Sequence, residues 1–288
     1  MFISEPLKES AGHARVAGFS SILTHAEPGL QSSHRIEIAA TLARSLNARL
    51  IGVGAETFEP VMMTDPMAGP AGDWISLLQE QVNADLAQAE HAFRRDAAGA
   101  DLEWRSFQDY PTRAVARASR AADLIVASAR AQNGAVRSVD PAELIVEAGR
   151  PVLIVPNATR RLHGKTVVIA WKDTREARRA VADAMPFLKQ ADDVVVQAIC
   201  PKDGNEAAVL ATNDVAAALG RHGVCARGAI IHGREQDVPE LLCAAVEANG
   251  ADLIVAGAYG HSRAKEWMLG GVTRALLHEP PCFVLFSH

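Results

Sequence analysis

The stretch Gly257-Ala-Tyr-Gly260-His-Ser-Arg-Ala-Lys-Glu-Trp-Met-Leu-Gly270-Gly271-Val-Thr273 decides how this chain folds. It follows the apolar run Leu253-Ile-Val-Ala256 and leads into Val272-Thr-Arg-Ala-Leu-Leu-His278. A short continuous apolar run suits a parallel strand buried on both faces, and the segment after the glycines reads as a helix. The order is therefore strand, glycine-punctuated loop, then a helix opening on Gly270-Gly271. Glycine in such a loop admits positive φ and lets a ligand approach closely. The first N–H groups of the helix have no partner within it and carry the positive end of its dipole, which favours phosphate. Pattern alone supports a plain tight turn equally well.

The same alternation fills the chain. Residues 1–17 read as an N-terminal extension, and Phe19–Thr24 as a first strand followed by turn chemistry at His25-Ala-Glu-Pro-Gly29. Helices are expected over Ser33–Leu46, Trp74–Ala98, Thr112–Ala121 and Pro141–Ala148, with strands at Ala48–Ala55, Asp101–Phe107, Asp123–Ala127 and Pro151–Val155. Phe58–Gly72, with Pro60, Pro66 and Pro70 and several Met, reads as a mobile loop. The series then restarts. Strands are expected at Thr166–Ala170, Val194–Ile199, Val224–Ile231, Leu253–Ala256 and Cys282–Phe286, and helices at Thr174–Leu188, Glu206–Arg221, Pro239–Ala248 and Val272–His278. Ala122-Asp-Leu-Ile-Val-Ala127 recurs unchanged as Ala251-Asp-Leu-Ile-Val-Ala256. So long a period is a duplicated domain and not a solenoid. The organisation read from this is an extension (1–17), one domain (18–157), a linker (158–164) and a second domain (165–288). Alternating strands and helices imply parallel pairing with right-handed crossovers, an α/β fold.

Gly257-x2-Gly260-x9-Gly270 after the fourth strand of a half resembles the ATP-binding signature of the universal stress proteins. The resemblance covers nearly the whole chain, twice. It implies two tandem open parallel five-stranded sheets of order 3-2-1-4-5 with helices on both faces. It also implies ATP, with Mg²⁺ as its accompanying ion, and a role in stress survival through protein partners. The chain departs from the family in having Gly271 where Ser or Thr is usual, while Thr273 matches a second hydroxyl position. In open parallel sheets, ligands sit beyond the carboxyl ends of the strands where their order reverses. In the second half that places Ala170, Trp171 and Asp173 opposite Gly257, Gly260, His261, Arg263, Gly270, Gly271, Val272 and Thr273. Lys172 stands where the family commonly has an acid. Trp171 reads either as a base platform or as a half-buried wall.

The first half lacks the signature. Ser128-Ala-Arg-Ala131 stands in place of Gly257-Ala-Tyr-Gly260, and its last helix opens on Asp140-Pro141-Ala142-Glu143. Asp at the cap, Pro at the first position and Glu at the third make a strong helix start. Asp140 then supplies the negative charge a phosphate would bring, so no nucleotide is expected there in the family manner.

With 49% hydrophobic and 5% aromatic residues, the 288-residue chain can build aliphatic cores. A net charge of −5 opposes a general nucleic-acid binder. Cys200, Cys225, Cys243 and Cys282 form no Cys-x-x-Cys pair and read as small buried hydrophobes of a reducing compartment. The sequence shows no signal peptide and no membrane span, so a cytoplasmic protein is expected. Gly260-His-Ser262 faintly resembles a nucleophile elbow, but only a short tail follows it, with Glu266 and Glu279 as the acids and His278 and His288 as the candidate bases. Three functions stay open: a nucleotide-responsive module, an interaction protein with empty sites, and a slow ATP hydrolase. The final strands of the halves are expected to pair as an intrachain pseudo-dimer, and further association of two chains stays open.

Overall fold

The computed structural model describes residues 18–57, 71–130, 137–157, 161–202, 205–258 and 270–288. The first half runs β1 (Ser21–His25), α1 (Leu30–Leu46), β2 (Arg49–Ala55), α2 (Ala71–Asp96), β3 (Asp101–Phe107), α3 (Pro111–Ala118), β4 (Leu124–Ser128), α4 (Pro141–Glu147) and β5 (Val152–Val155). The second half repeats the series: β6 (Thr166–Trp171), α5 (Arg175–Asp183), α6 (Met185–Leu188), β7 (Asp193–Cys200), α7 (Asn205–Gly220), β8 (Ala226–His232), α8 (Val238–Asn249), β9 (Leu253–Gly257), α9 (Gly271–His278) and β10 (Phe283–Ser287). The one helix expected at 174–188 is two, because Pro186 cannot donate its share of the helical ladder and the chain re-enters helix after Ala184. Most of the Met-rich loop lies outside the described residues, and α2 begins at Ala71, earlier than expected.

Each half keeps the order 3-2-1-4-5, but the two sheets are not separate. They join into ten strands, β3-β2-β1-β4-β5-β10-β9-β6-β7-β8. All neighbours are parallel except β5 and β10, which pair antiparallel through Val152↔Phe286, Leu153↔Leu285 and Ile154↔Val284. The expected intrachain pseudo-dimer is therefore a continuous sheet. The joint buries two strand edges that would otherwise template association.

The pleat sends alternate side chains to opposite faces, so the continuous sheet carries two cores. One lies under α1, α2, α5 and α7 and contains Ile36, Phe93, Ala177 and Leu219. The other lies under α3, α4, α8 and α9 and contains Val115, Leu144, Leu242 and Leu276. Both cores draw on both halves. The repeated hexapeptide repeats a task as well as a strand. Asp123 accepts from the backbone N–H groups of Ser20 (2.8 Å) and Ser21 (3.0 Å). Asp252 accepts from those of His163 (2.6 Å) and Gly164 (3.0 Å). Each aspartate thus ties down the chain where it enters the first strand of its half. Of the cysteines only Cys282 is buried; Cys225 is exposed, because it falls in the turn before β8 and outside the apolar strand.

Candidate functional site

The carboxyl ends of β6 and β9 lie side by side, with Ala170 in register with Ala256. Beyond them the amino end of α9 comes up on the second core. Gly270 occupies its cap position with φ −55°, ψ 140°, and has no side chain to accept from the first turn. A Cβ on Gly270 or Gly271 would meet none of the described residues within 4 Å. Val272 packs half-buried against the core, and Thr273 is buried. The first N–H groups of α9 are therefore met by no capping side chain among the described residues, at the positive end of the helix dipole.

Other expectations change. None of Gly257, Gly270 and Gly271 has positive φ. The close approach at Gly257 is made by the protein itself: a Cβ there would lie 2.5 Å from the Glu176 carbonyl carbon, at the start of α5. Trp171 does not face α9. It is 9% exposed and belongs to the core on the opposite face, with Ile169 and Ala177. Alternation along β6 puts Ala170 on the α9 side and Trp171 behind it, so the tryptophan is a wall and not a base platform. Asp173 is exposed and paired with Arg178, while Lys172 reaches only to 3.9 Å from Glu235. Thr174 caps α5 by accepting from Ala177 N at 3.3 Å. Gly260, His261 and Arg263 lie outside the described residues.

The first half has its helix opening closed as expected. Asp140 accepts from Ala142 N at 2.8 Å, capping α4, and its other oxygen lies 3.2 Å from Arg130 Nη2. Pro141 and Glu143 fill the first turn.

Sequence reasoning missed a second feature of this half. His25, read as part of a turn, is the last residue of β1 and is 3% exposed. Its Nδ1 lies 2.6 Å from Glu27 Oε2. Arg35 reaches from α1 to the same carboxylate at 2.6 Å, and donates to Ser128 Oγ at 2.7 Å and to the His25 carbonyl at 2.9 Å. Burial alone would raise the Glu27 carboxyl, but the Arg35 guanidinium and His25 outweigh it and hold the pKa at about 2. Above this network, at the point where strand order reverses, lies a cavity of about 160 Å³. His25, Arg130, Val115 and Leu144 are among the residues lining it. The signal that could have exposed it is Arg35, a charge set directly beside the apolar stripe of α1.

Residues 163–288 match the model described as the universal stress protein family. No curated protein matches the chain. Several solved structures align over nearly its whole length, two of them as follows. A universal stress protein from Archaeoglobus fulgidus DSM 4304 has 14% identity and TM-score 0.68, covering 93% of this chain and 95% of that one. A putative universal stress protein from Pseudomonas aeruginosa UCBPP-PA14 has 17% identity and TM-score 0.60, covering 93% of each. At such identities the likeness is one of fold.

Proposed function

We propose that this chain is a universal stress protein, a reading supported by the match of residues 163–288, and that its second half binds an adenine nucleotide, ATP, at the amino end of α9. The observation that carries the reading is the contrast between the two helix openings. α9 begins on glycine with no capping side chain among the described residues, whereas α4 begins on an aspartate that bonds its own first turn. A phosphate at α9 would take the N–H groups of Gly271, Val272 and Thr273 and complement the dipole. At α4 it would meet occupied donors and a carboxylate. The residues present suit the group: a Cβ on Gly270 or Gly271 meets none of the described residues, and the small Ala170, next to last in β6, stands on the α9 side.

In this reading Asp173 serves the nucleoside end, after exchanging its exposed partner Arg178. Exposed ion pairs of this kind cost little to break. Gly260, His261 and Arg263 are carried on sequence alone, as is Mg²⁺ accompanying the phosphates. The nucleotide acts as a ligand that changes the surface shown to a protein partner in a cytoplasmic stress response, and it is not consumed. Among the described residues no helix is long and apolar enough to cross a membrane.

The test is a calorimetric titration of the full chain with Mg²⁺-ATP, followed by phosphate release over hours. Saturable binding without phosphate release supports the reading. No heat at millimolar nucleotide overturns it, and phosphate release would make the protein a slow hydrolase.

A further inference from the structure

The continuous sheet ends on two edge strands, β3 and β8, and they are built differently. β3 carries a charge at every second residue, Asp101, Glu103 and Arg105. Two of its ion pairs are Arg49–Asp101 at 3.0 Å and Arg105–Glu103 at 2.6 Å. Charges in such a row guard an edge against further pairing. β8 reads Ala226-Arg-Gly-Ala-Ile-Ile-His232, with Arg227 as its one formal charge and no proline, and none of its residues is buried. An edge left so plain is a template for another strand.

The helix over that edge matches it. α7 has only Glu206 and Asp214 as charged residues, and Arg221 follows directly after it. It buries Thr212 and Leu219 but leaves Val209 38% and Leu210 64% exposed, where a surface helix ordinarily turns charge outward. The middle of α7 lies on the middle of β8. A Cβ on Gly228 would come within 2.8 Å of Asn213 Oδ1 and 2.9 Å of Thr212 Oγ1. The exposed face is also ordered by size and charge. Acid and bulk, Glu206, Val209 and Leu210, occupy its first half; small residues and base, Ala217, Gly220 and Arg221, occupy its second. Turned end for end about Asn213, this face is its own complement. Glu206 then meets Gly220 and Arg221, and the bulk of Val209 and Leu210 meets Ala217. Among the described residues neither Glu206 nor Arg221 joins an ion pair within the chain.

We propose that β8 and α7 together dock a second copy of this chain, across a twofold axis that passes close to Asn213 and Gly228. A twofold makes each surface meet itself, and here it makes both the strand contact and the helix contact antiparallel. α7 packs on β7 and β8. A strand spacing of about 4.8 Å then sets the two α7 helices about 10 Å apart, the separation of packed helices. Asn213, whose amide both donates and accepts, faces its own copy at the axis. The seam runs about 24 Å along the helix and about 23 Å along the strand. The joined sheet has the two guarded β3 strands as its outer edges, so association stops at two chains. The surface is separate from α9 and does not depend on nucleotide binding there.

The test is sedimentation velocity of the full chain. The wild type is expected to run as a dimer at about 100 µM, a concentration that saturates a micromolar interface. Ala217→Arg sets a long charged side chain against Val209 and Leu210 of the other copy and should weaken the dimer about tenfold. Glu206→Arg and Arg221→Glu should each weaken it several-fold by opposing like charges, and the double reversal should restore it. Within one chain these two residues stand about 22 Å apart along the helix, so rescue comes only from the other copy. Hydrogen exchange of the wild type needs no variant: amides of β8 should exchange more slowly at about 100 µM than at about 1 µM, while those of β3 should not change. A monomer at about 100 µM, a dimer indifferent to Ala217→Arg, or a double reversal that restores nothing would overturn the proposal. Concentration-dependent protection in β3 in place of β8, or assembly beyond two chains, would overturn it as well.

Discussion

Glu27 and Arg35 form an ion pair that is almost wholly buried, and its value lies in completeness. The guanidinium bonds the carboxylate, a carbonyl and Ser128 at once, so few donors are left dry. Removing one member of such a pair strands the other, at a cost of about 3–5 kcal/mol. Glu27→Gln is therefore expected to destabilise the protein by that amount at pH 7 in urea unfolding. The acid side follows by linkage. The carboxyl is held at about 2, below its ordinary 4.5, so its contribution is full above pH 4.5 and drains away as pH falls toward 2. That loss is about 3 kcal/mol, and Glu27→Gln should lack it. Gly257 offers a second test. A Cβ there would collide with the backbone of α5, so Gly257→Ala should cost about 1–3 kcal/mol by overpacking. Gly270→Ala, where a Cβ meets none of the described residues, should cost far less. Equal costs would show that α5 does not sit on the end of β9 as described.

At the level of elements, the last helix of each half reveals the most. Asp140→Ala should remove a cap worth about 1 kcal/mol and release Arg130, with a matching fall in the unfolding midpoint. No change would mean the cap is solvent-replaced. This feature could be read from sequence because capping is local: cap, proline and glutamate lie within four consecutive positions, Asp140–Glu143. The strands were legible for a similar reason, since runs such as Leu253–Ala256 have no other use in a duplicated α/β chain. Trp171 stayed open between wall and base platform because its face depends on the phase of β6, and one residue of phase turns a site residue into core. The His25 network was invisible because Arg35 and Ser128 meet across 93 positions.

The whole molecule is one sheet with two shared cores, and this predicts how it unfolds. Phe286 is fully buried, and its strand β10 pairs with β5 of the other half. Phe286→Ala should cost about 3–5 kcal/mol and lower a single calorimetric transition of the whole chain. Two separate transitions, only one of them shifted, would contradict a common core. The same view makes the molecule asymmetric: two like halves, one with its last helix capped by Asp140 and one whose last helix opens on glycine, where the proposed nucleotide would bind. Gly270 has a φ that any residue accepts, and a Cβ there meets none of the described residues, so an aspartate can be placed there to copy the first half. The decisive measurement is a calorimetric titration of Mg²⁺-ATP into the full chain and into its Gly270→Asp variant, with thermal unfolding of both. The prediction is one nucleotide per chain, lost at least tenfold in the variant, while the variant melts no lower than the parent because its helix has gained a cap. Two nucleotides per chain, or undiminished binding in Gly270→Asp, would contradict it.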